Sequence, residues 1–521
     1  MATLKNLYCP HCNAEEPTLV HRGTKTNPGR PEKLNYSCTE CGSATVAPLK
    51  QPRVEIVFRT DLPKKRRYVI TCAQNATPVN KPFLEALKVY CKHNKAELVV
   101  IPIRYKNPTS TFSASQRNEE HWNEALEPYM YEGRDRFNSN VVVLGDVKQQ
   151  LTAVNPLMGF ESMTGALSCI IGHPKLAMKT VPTPHQKLPK IMITTGAVTV
   201  KNYTDTRLGK IAAHHHTFGA LVLELDGGNF HMRHLNALRS TGRFMDLTKE
   251  YSKDGVKDIG PVEALVMGDT HVGKTHPDVV KATFTDKDSI VNILKPKRLV
   301  WHDLLDGFAV DPWARNDPFA KVAKRKAGRD DIRKEIQAAV DFVVKYAPKD
   351  IENIVVPSNH HDWLERWMDR TDWRFDEVNA LFYLETATAM VEYTKVDERG
   401  VDKLDPFAYW FKKLVAKQVK LKMPEPDESY MVKGVEIGMH GHLGPHGRRG
   451  SPQNLGRIGV KSVIGHAHHP EICEGCYMVG TSTYLRLHYN KGPSGWLNTH
   501  AIVYPNGKRQ LIHIIDGKWK L

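Results

Sequence analysis

Five short apolar runs in the second half of the chain each end in side chains that bind metal ions, and this repeated pattern most constrains the fold. The runs begin near residues 264, 299, 353, 435 and 462. The side chains that follow them are, in order, Asp269 and His271, Asp303, Asn359 and His360, His440, and His466 with His468. A short apolar run predicts a buried strand, and strands of an α/β sheet end at a shared crevice. The pattern therefore predicts an α/β domain over residues 261–521 with a metal site at one edge of its sheet.

The same series resembles the calcineurin-like metallophosphoesterases. Their motifs are Asp-x-His, Gly-Asp-x-x-Asp, Gly-Asn-His-Asp/Glu, a single His, and Gly-His-x-His. Asp303 and Asp306 match the second motif, although His302 stands in place of its glycine, and residues 465–468 match the last motif completely. In the third motif Ser358 replaces the glycine and His361 replaces the acid. The resemblance covers about half of the chain and implies a β-sandwich flanked by helices.

The resemblance also implies two divalent cations and assigns their ligands. One cation would be held by Asp269, His271, Asp303 and His468, and the other by Asp303, Asn359, His440 and His466. Asp303 would then bridge the two ions, and His360 would act as the general acid beside it. Oxygen and nitrogen ligands together suit Mn²⁺, iron or zinc, and Mn²⁺ is expected here, with Mg²⁺ as a further alternative.

A phosphate-binding loop is the competing interpretation of the first motif. Residues 268–275 fit the pattern Gly-x4-Gly-Lys-Ser/Thr after a strand, with Asp303 as a magnesium-binding acid. Asp269 would place a negative charge inside such a loop, whose backbone N–H groups must cradle phosphate. The loop would also leave Asn359 and the later histidines without a role, so the two-metal interpretation is favoured.

The first half of the chain predicts two further units. Over residues 1–50, Cys9, Cys12, Cys38 and Cys41 form two Cys-x-x-Cys pairs, which predict a zinc ribbon around one structural Zn²⁺. Over residues 51–260, apolar runs alternate with helical stretches, which predicts a second α/β domain with a parallel sheet. That domain shows no complete series of ligands and is expected to be non-catalytic.

Charge and targeting signals indicate the partners. The formal net charge of +16 and the pI near 9.2 favour a polyanionic partner, which we expect to be DNA. Arg448 and Arg449 follow His440 in a glycine-rich loop and are predicted to contact substrate phosphate. The sequence contains neither a signal peptide nor a membrane-length apolar run, so we expect a cytoplasmic protein without a membrane partner.

These features together predict a two-metal-dependent DNase that hydrolyses phosphodiester bonds. The motifs are similar to those of the SbcD-type DNA nucleases. The order of zinc ribbon, α/β domain and esterase domain also resembles the early, first-step-transfer nucleases with which large siphophages degrade host DNA. That resemblance implies a homo-oligomer in the host cytoplasm. The alternatives are a phosphatase or phosphodiesterase that acts on small nucleotides, and a non-enzymatic nucleic-acid-binding protein.

Overall fold

The computed structural model describes residues 7–8, 19–21, 36–38, 41, 47–48, 58–117, 119–184, 188–398 and 400–521. Residues 1–57 and 58–521 form two separate compact units. The first unit contains two antiparallel strand pairs. These pairs are Leu7–Tyr8 with Ala47–Pro48, and Leu19–His21 with Tyr36–Cys38.

The predicted zinc ribbon falls in this first unit. Cys9 and Cys12 lie outside the described residues, as does the side chain of Cys38, and Cys41 is exposed. The structural Zn²⁺ therefore stays a prediction from the spacing of the four cysteines.

A six-stranded sheet lies at the centre of the second unit. In spatial order its strands are Lys420–Lys422, Glu352–Val355, Arg298–Trp301, Ala264–Val266, Thr499–Val503 and Arg509–His513. The first four strands are parallel, and the last two pair antiparallel as a hairpin. That hairpin turns at Asn506 and Gly507, and the φ of 71° at Gly507 is the left-handed conformation that an Asn-Gly turn uses.

A nine-stranded sheet shares a hydrophobic core with one face of the six-stranded sheet. In spatial order its strands are Met431–Val432, Val435–Glu436, Lys461–Ile464, Cys476–Met478, Glu471–Cys473, Ala177–Val181, Lys190–Thr194, Ser168–Ile171 and Val141–Leu144. Successive side chains of a strand point to opposite faces, so Ala264 and Val266 join this core with Val463 and Ile193. The sheet takes strands from both sides of residue 260, where the sequence analysis divides two α/β domains.

Helices cover the other face of the six-stranded sheet. Leu265 and Trp301 point to that side and share a second core with three helices, which are Ile332–Tyr346, Asn359–Arg370 and Pro406–Val415. The helix Ile332–Tyr346 buries Ile332, Ile336 and Val343, which recur at helical spacing. This half of the molecule is therefore a β-sandwich with helices on one side, within a mixed α/β fold.

The described residues form eight further α-helices. They are Lys81–Asn94, Ser113–Gln116, Arg207–His215, Pro277–Val280, Ile290–Leu294, Pro318–Lys326, Ala380–Tyr393 and Pro452–Leu455. Short 3-10 helices occur at Glu124–Tyr129, Trp373–Phe375 and Pro445–Gly447, and a π-helical turn at Lys281–Thr285. Among the described residues, none of the helices has the length and apolar character needed to cross a membrane.

Three smaller sheets complete the unit. A four-stranded sheet runs in the order Asn229–Asn236, Gly219–Asp226, Arg67–Gln74 and Glu97–Ile103, and a three-stranded sheet contains Phe244–Asp246, Lys249–Ser252 and Gly255–Asp258. Lys395–Asp397 and Gly400–Asp402 form a separate pair. Between the two larger of these sheets, buried Arg233 pairs with Glu224 at 2.9 Å and with Asp246 at 2.7 Å.

Candidate metal centre

Two parallel strands of the six-stranded sheet bring the first two motifs side by side. The strands Ala264–Val266 and Arg298–Trp301 are neighbours, and the chain after each strand continues the same pairing. The Thr270 N–H donates to the His302 carbonyl at 2.9 Å, and the His271 N–H donates to the Asp303 carbonyl at 2.7 Å. These hydrogen bonds join the two loops beyond the ends of the strands, and Asp269, His271 and Asp303 lie in one cluster.

Asp269, His271, Asp303 and His468 form a buried cluster whose ligand atoms all lie within 4.8 Å of one another. The Nε2 atoms of His271 and His468 are 3.0 Å apart, and His468 Nε2 is 3.2 Å from Asp269 Oδ2. Two ligands at right angles, each about 2.1 Å from a shared ion, would lie about 3.0 Å apart. The cluster therefore has the size and the donor atoms of a metal site.

A second group of donors adjoins the first through Asp303. His440 Nε2 lies 3.2 Å from Asp303 Oδ2, and the His440 and His466 rings have centroids 5.3 Å apart. His466 Nδ1 lies 2.9 Å from the side-chain oxygen of Asn359. The structure thus brings together all seven residues that the sequence assigned to two metal ions, with Asp303 between the two groups.

The charge states of these side chains suit cation binding. Burial alone would raise the pKa of Asp269 and Asp303, but the histidines beside them, His468 and His440 among them, lower both values below the usual range. Burial lowers the pKa of His466 to about 4, so its imidazole is neutral near pH 7. Metal ligands must be ionised carboxylates or neutral imidazoles, and Asp269, Asp303 and His466 meet that requirement without an ion. Burial would lower the pKa values of His271 and His440, but the neighbouring carboxylates raise both, so a cation would displace protons from these two imidazoles.

Buried polar atoms without hydrogen-bond partners also indicate a cation site. Asp269 Oδ1 and Asp303 Oδ1 are buried, and neither accepts a hydrogen bond from the described residues. A buried polar atom without a partner costs about 1–3 kcal/mol, and more when it is charged. Because native proteins rarely leave such atoms unpaired, the two oxygens fit the role of metal ligands.

Four of the predicted ligands have a strained backbone. His271, Asp303, His466 and His468 have φ values of 44°, 42°, 83° and 60°, in the left-handed region that residues with a Cβ seldom adopt. Such conformations cost roughly 1–3 kcal/mol each and cluster at functional sites. The surrounding pairing of loops therefore holds these side chains in an arrangement that the free chain would avoid.

Gly465 is required at the centre because of a close approach. A Cβ at this position would lie 2.3 Å from Asp269 Oδ1 and 3.1 Å from the His302 ring. Directly after it, the His466 N–H donates to Asp269 Oδ2 at 2.9 Å. Only glycine lets the backbone of the last motif contact the carboxylate of the first.

His360, the predicted general acid, lies beside the centre. Its Nδ1 is 2.6 Å from the carbonyl oxygen of Asp306, which fixes Nδ1–H as the donor and leaves Nε2 free. The His360 ring is 4.5 Å from the His271 ring and packs at 3.8 Å on Trp363. Burial lowers the pKa of His360 to about 4 although Asp303 opposes this effect.

The structure adds residues to which the sequence analysis gave no role. His302 is fully buried, its Nδ1 lies 3.1 Å from His440 Nδ1, and with Asp269 and His440 it forms a further group of possible ligands. Asp306 Oδ2 forms an ion pair with Lys274 Nζ at 2.8 Å, and Asp306 Oδ1 lies 3.4 Å from His271 Nδ1. The second motif already contained Asp306, and its spacing from Asp303 was the signal that could have found it.

The phosphate-loop interpretation finds no support in this geometry. The Gly268 N–H donates to His500 Nδ1 at 2.9 Å, and the Lys274 ammonium is engaged with Asp306. Arg448 and Arg449 are exposed in the loop after His442, so their contact with substrate phosphate stays a prediction.

Comparison with known proteins gives the family. No protein-family model matches the chain. Protein A1 of Escherichia phage T5 is 30% identical over 474 residues, which cover 89% of this chain and 84% of that protein. The chain belongs to the family of phage T5 protein A1. This A1-family match extends well beyond residues 261–521, which carry the five motifs.

Solved structures give a much weaker likeness. Vps29 of Chaetomium thermophilum matches 35% of this A1-family chain and 89% of its own, at 7% identity and a TM-score of 0.19. The same protein complexed with the RaPID-derived cyclic peptide RT-D3 matches 33% of the chain at 9% identity, with the same TM-score. Likenesses at this level carry no argument about fold or function.

Proposed function

We propose that this A1-family protein is a two-metal phosphodiesterase that hydrolyses DNA, with Mn²⁺ as the expected ion. The observation that carries the proposal is the convergence of seven ligand-type side chains from five separate strand ends. Two of their buried carboxylate oxygens lack any hydrogen-bond donor among the described residues. The motif resemblance to the calcineurin-like metallophosphoesterases supports the same chemistry.

The residues of the crevice would have different roles in binding the two ions. Asp303 lies between the two groups of ligands and would bridge the ions, while Asp269, His271 and His468 complete one site and Asn359, His440 and His466 the other. When bound, two divalent cations make hydroxide available near neutral pH and neutralise the phosphoryl oxygens. Asp306 contributes by orienting His271 and by holding Lys274 at the edge of the crevice.

His360 would donate a proton to the leaving group. The carbonyl of Asp306 holds its Nδ1–H, so Nε2 is the nitrogen that can exchange a proton with the substrate. In the free protein its imidazole is neutral, because burial lowers its pKa to about 4. An anionic phosphodiester in the crevice would stabilise the protonated form, and general-acid transfer to the departing oxygen follows.

The surface near His360 supports DNA as the substrate. The helix Asn359–Arg370 begins at the crevice and carries Arg366 and Arg370 towards a cavity of about 450 Å³. Exposed Phe375 lines this cavity, exposed Trp313 and Phe319 lie within two residues of lining residues in the sequence, and five carboxylates share the lining with the basic side chains. Aromatic side chains interleaved with basic ones are typical of surfaces that bind single-stranded nucleic acid, where bases stack and phosphates meet cations.

Kinship with a phage protein supports a phage-encoded enzyme. We infer that it acts early in infection on the DNA of the host, in the host cytoplasm and as a homo-oligomer. The net charge of +16 suits a protein that must find DNA by electrostatic attraction.

A cleavage assay tests the proposal. The full-length protein with Mn²⁺ is incubated with closed circular DNA, linear DNA and linear DNA with blocked ends. Cleavage of the circle would indicate an endonuclease, and cleavage of open ends alone an exonuclease. Asp303→Asn and His360→Asn should each reduce cleavage by at least about 10²-fold, whereas Asp427→Asn, which changes an exposed carboxylate outside the crevice, should not.

Three results would overturn the proposal. If both crevice variants cleave DNA as well as the unmodified protein, the centre is not catalytic. If DNA stays intact while a nitrophenyl phosphodiester is hydrolysed, the enzyme acts on small phosphoesters, and binding without turnover of either substrate would leave a DNA-binding protein.

A further inference from the structure

A second polar cavity, of about 440 Å³, lies away from the metal centre. It forms where the strand Lys461–Ile464 begins, and the Gly475 and Gly507 turns contribute to its lining. His466 lies beyond the opposite end of that strand, five residues from Lys461. At about 3.3 Å per residue the two positions are roughly 16 Å apart, so the cavity is separate from the crevice.

The cavity is lined by more positive than negative charge. Lys175, Lys461, Lys508 and Arg509 line it, and Glu474 is the single carboxylate among its described lining residues. Glu474 is already paired with Lys175 at 3.2 Å. Within the described part of the chain, Lys461, Lys508 and Arg509 make no ion pair, so three cations share one cavity without a counter-charge.

Arg509 is fixed in position although it lacks a carboxylate partner. Its Nη1 donates to the Ser462 carbonyl at 2.8 Å and to the Gly475 carbonyl at 2.6 Å. Its guanidinium carbon lies 4.1 Å above the ring centroid of Tyr477, and the side chain is 8% exposed. Both hydrogens of Nη1 are used, which leaves the Nε and Nη2 donors for a ligand.

The pKa of Lys508 reflects the uncompensated positive charge of this cluster. Burial lowers the pKa of Lys508, and Lys461 and Arg509 lower it further by repulsion. An anion in the cavity would relieve this repulsion, since opposite charges at short range in a partly buried site attract strongly.

The histidines at the rim argue against a metal ion. His216 uses both ring nitrogens inside the protein, at 2.8 Å from the Tyr203 hydroxyl and 3.1 Å from the Thr199 carbonyl. His215 lies 3.8 Å from Glu474, beside the ammonium of Lys175. A cation would therefore meet three positive side chains and few free ligands.

We propose that this cavity binds a small molecule that carries phosphate groups. Its volume falls in the range of about 300–1,000 Å³ that small ligands occupy. Arg509 offers a fixed guanidinium for hydrogen bonds to phosphate oxygens, and Lys461 and Lys508 supply two ammonium groups. The proposal stands on this cluster alone and does not depend on the proposed nuclease activity.

Calorimetric titration of inorganic pyrophosphate into the full-length protein, in a phosphate-free buffer, tests the proposal. We expect saturable binding that the double variant Lys461→Gln, Lys508→Gln weakens by about tenfold or more, because two charge-assisted contacts are lost. Lys417→Gln, which removes an exposed lysine elsewhere, should bind as the unmodified protein does. Asp303→Asn should also retain the binding, which separates this cavity from the metal centre.

Each other outcome overturns the proposal. Pyrophosphate that fails to bind at millimolar concentration, or that binds the double variant unchanged, excludes the site. Binding that disappears in Asp303→Asn and persists in the double variant belongs to the metal centre. If a short single-stranded oligonucleotide binds in a lysine-dependent way and pyrophosphate does not, the cavity is part of a nucleic-acid surface.

Discussion

Manganese should stabilise the protein through Asp303. Asp303 Oδ2 lies 3.2 Å from His440 Nε2 and 3.6 Å from His271 Nε2, so one carboxylate belongs to both groups of ligands. At an ion concentration about 100 times the dissociation constant, each occupied site stabilises the folded state by about 2.7 kcal/mol. Two sites contribute about 5 kcal/mol.

That free energy converts into a shift of the melting temperature. The compact unit of residues 58–521 contains about 460 residues, and an unfolding entropy of about 2.1 cal/mol/K per residue gives about 1 kcal/mol/K. The expected rise in Tm is therefore about 5 °C when Mn²⁺ replaces a chelator. Asp303→Asn should reduce the rise to about 1 °C, because neither site keeps its shared carboxylate.

Differential scanning fluorimetry with and without chelator measures both shifts. The difference between the two conditions is the relevant quantity, because Asp303→Asn also removes the repulsion between Asp303 and Asp269 in the metal-free protein. Asp427→Asn serves as the control and should keep the full rise. An Asp303→Asn protein that Mn²⁺ stabilises as much as the unmodified protein would refute the assignment of Asp303 to both sites.

Three further predictions concern the centre and the core. Gly465→Ala should abolish Mn²⁺ binding, because the added Cβ would lie 2.3 Å from Asp269 Oδ1. Calorimetry measures the binding, and Gly228→Ala serves as a control that should be tolerated. Unchanged Mn²⁺ affinity of Gly465→Ala would contradict the close approach of Gly465 to Asp269. His360→Asn should lower kcat by about 10²–10⁴-fold and leave Mn²⁺ affinity unchanged, whereas weakened affinity would make His360 a ligand. Burial would raise the pKa of Glu224, but Arg233 lowers it from 4.5 to about 2. This pair should contribute about 3 kcal/mol, present above pH 4.5 and lost as the pH falls towards 2. Urea unfolding of Glu224→Gln at pH 6 and pH 3 checks this value, and an equal loss at both would contradict it.

The structure brings the seven candidate ligands together, and each of them follows an apolar run that is visible in the sequence. Strand length and the polar residue that ends a strand are local properties, and parallel strands of one sheet place their ends together. The approach of His440 and His466, which follow strands of the nine-stranded sheet, to Asp303 is a tertiary contact that no local pattern contains. The role of His302 could not be found this way. Its importance arises from the contact with His440, which lies 138 residues further along the chain.

Helix starts and the burial of aromatic residues also depend on tertiary contacts. The helix Ala380–Tyr393 begins after Asn379, whose side chain is held by Asp376 and by the Asp330 carbonyl. Trp363 and Trp367 share a helix face as their spacing predicts, yet Trp367 is buried while Trp363 packs on His360. The spacing of four residues places both tryptophans on one face of the helix. Only the tertiary structure shows that Trp367 belongs to the core and Trp363 to the site.

The long-range pairing inside the nine-stranded sheet lies beyond local patterns. Ala177 pairs with Cys473, and no periodicity in either segment encodes the choice of partner. Periodicity predicts that a strand forms, whereas its neighbours depend on the packing of the whole unit.

The pairing of Ala177–Val181 with Glu471–Cys473 also determines when this part of the sheet can form during translation. When the strand Ala177–Val181 leaves the ribosome, its neighbour Glu471–Cys473 is still about 300 residues from being translated. At 5–20 residues per second the earlier strand waits roughly 15–60 s with one edge open. An exposed edge invites pairing with other chains, so newly made protein is most vulnerable to aggregation during that interval.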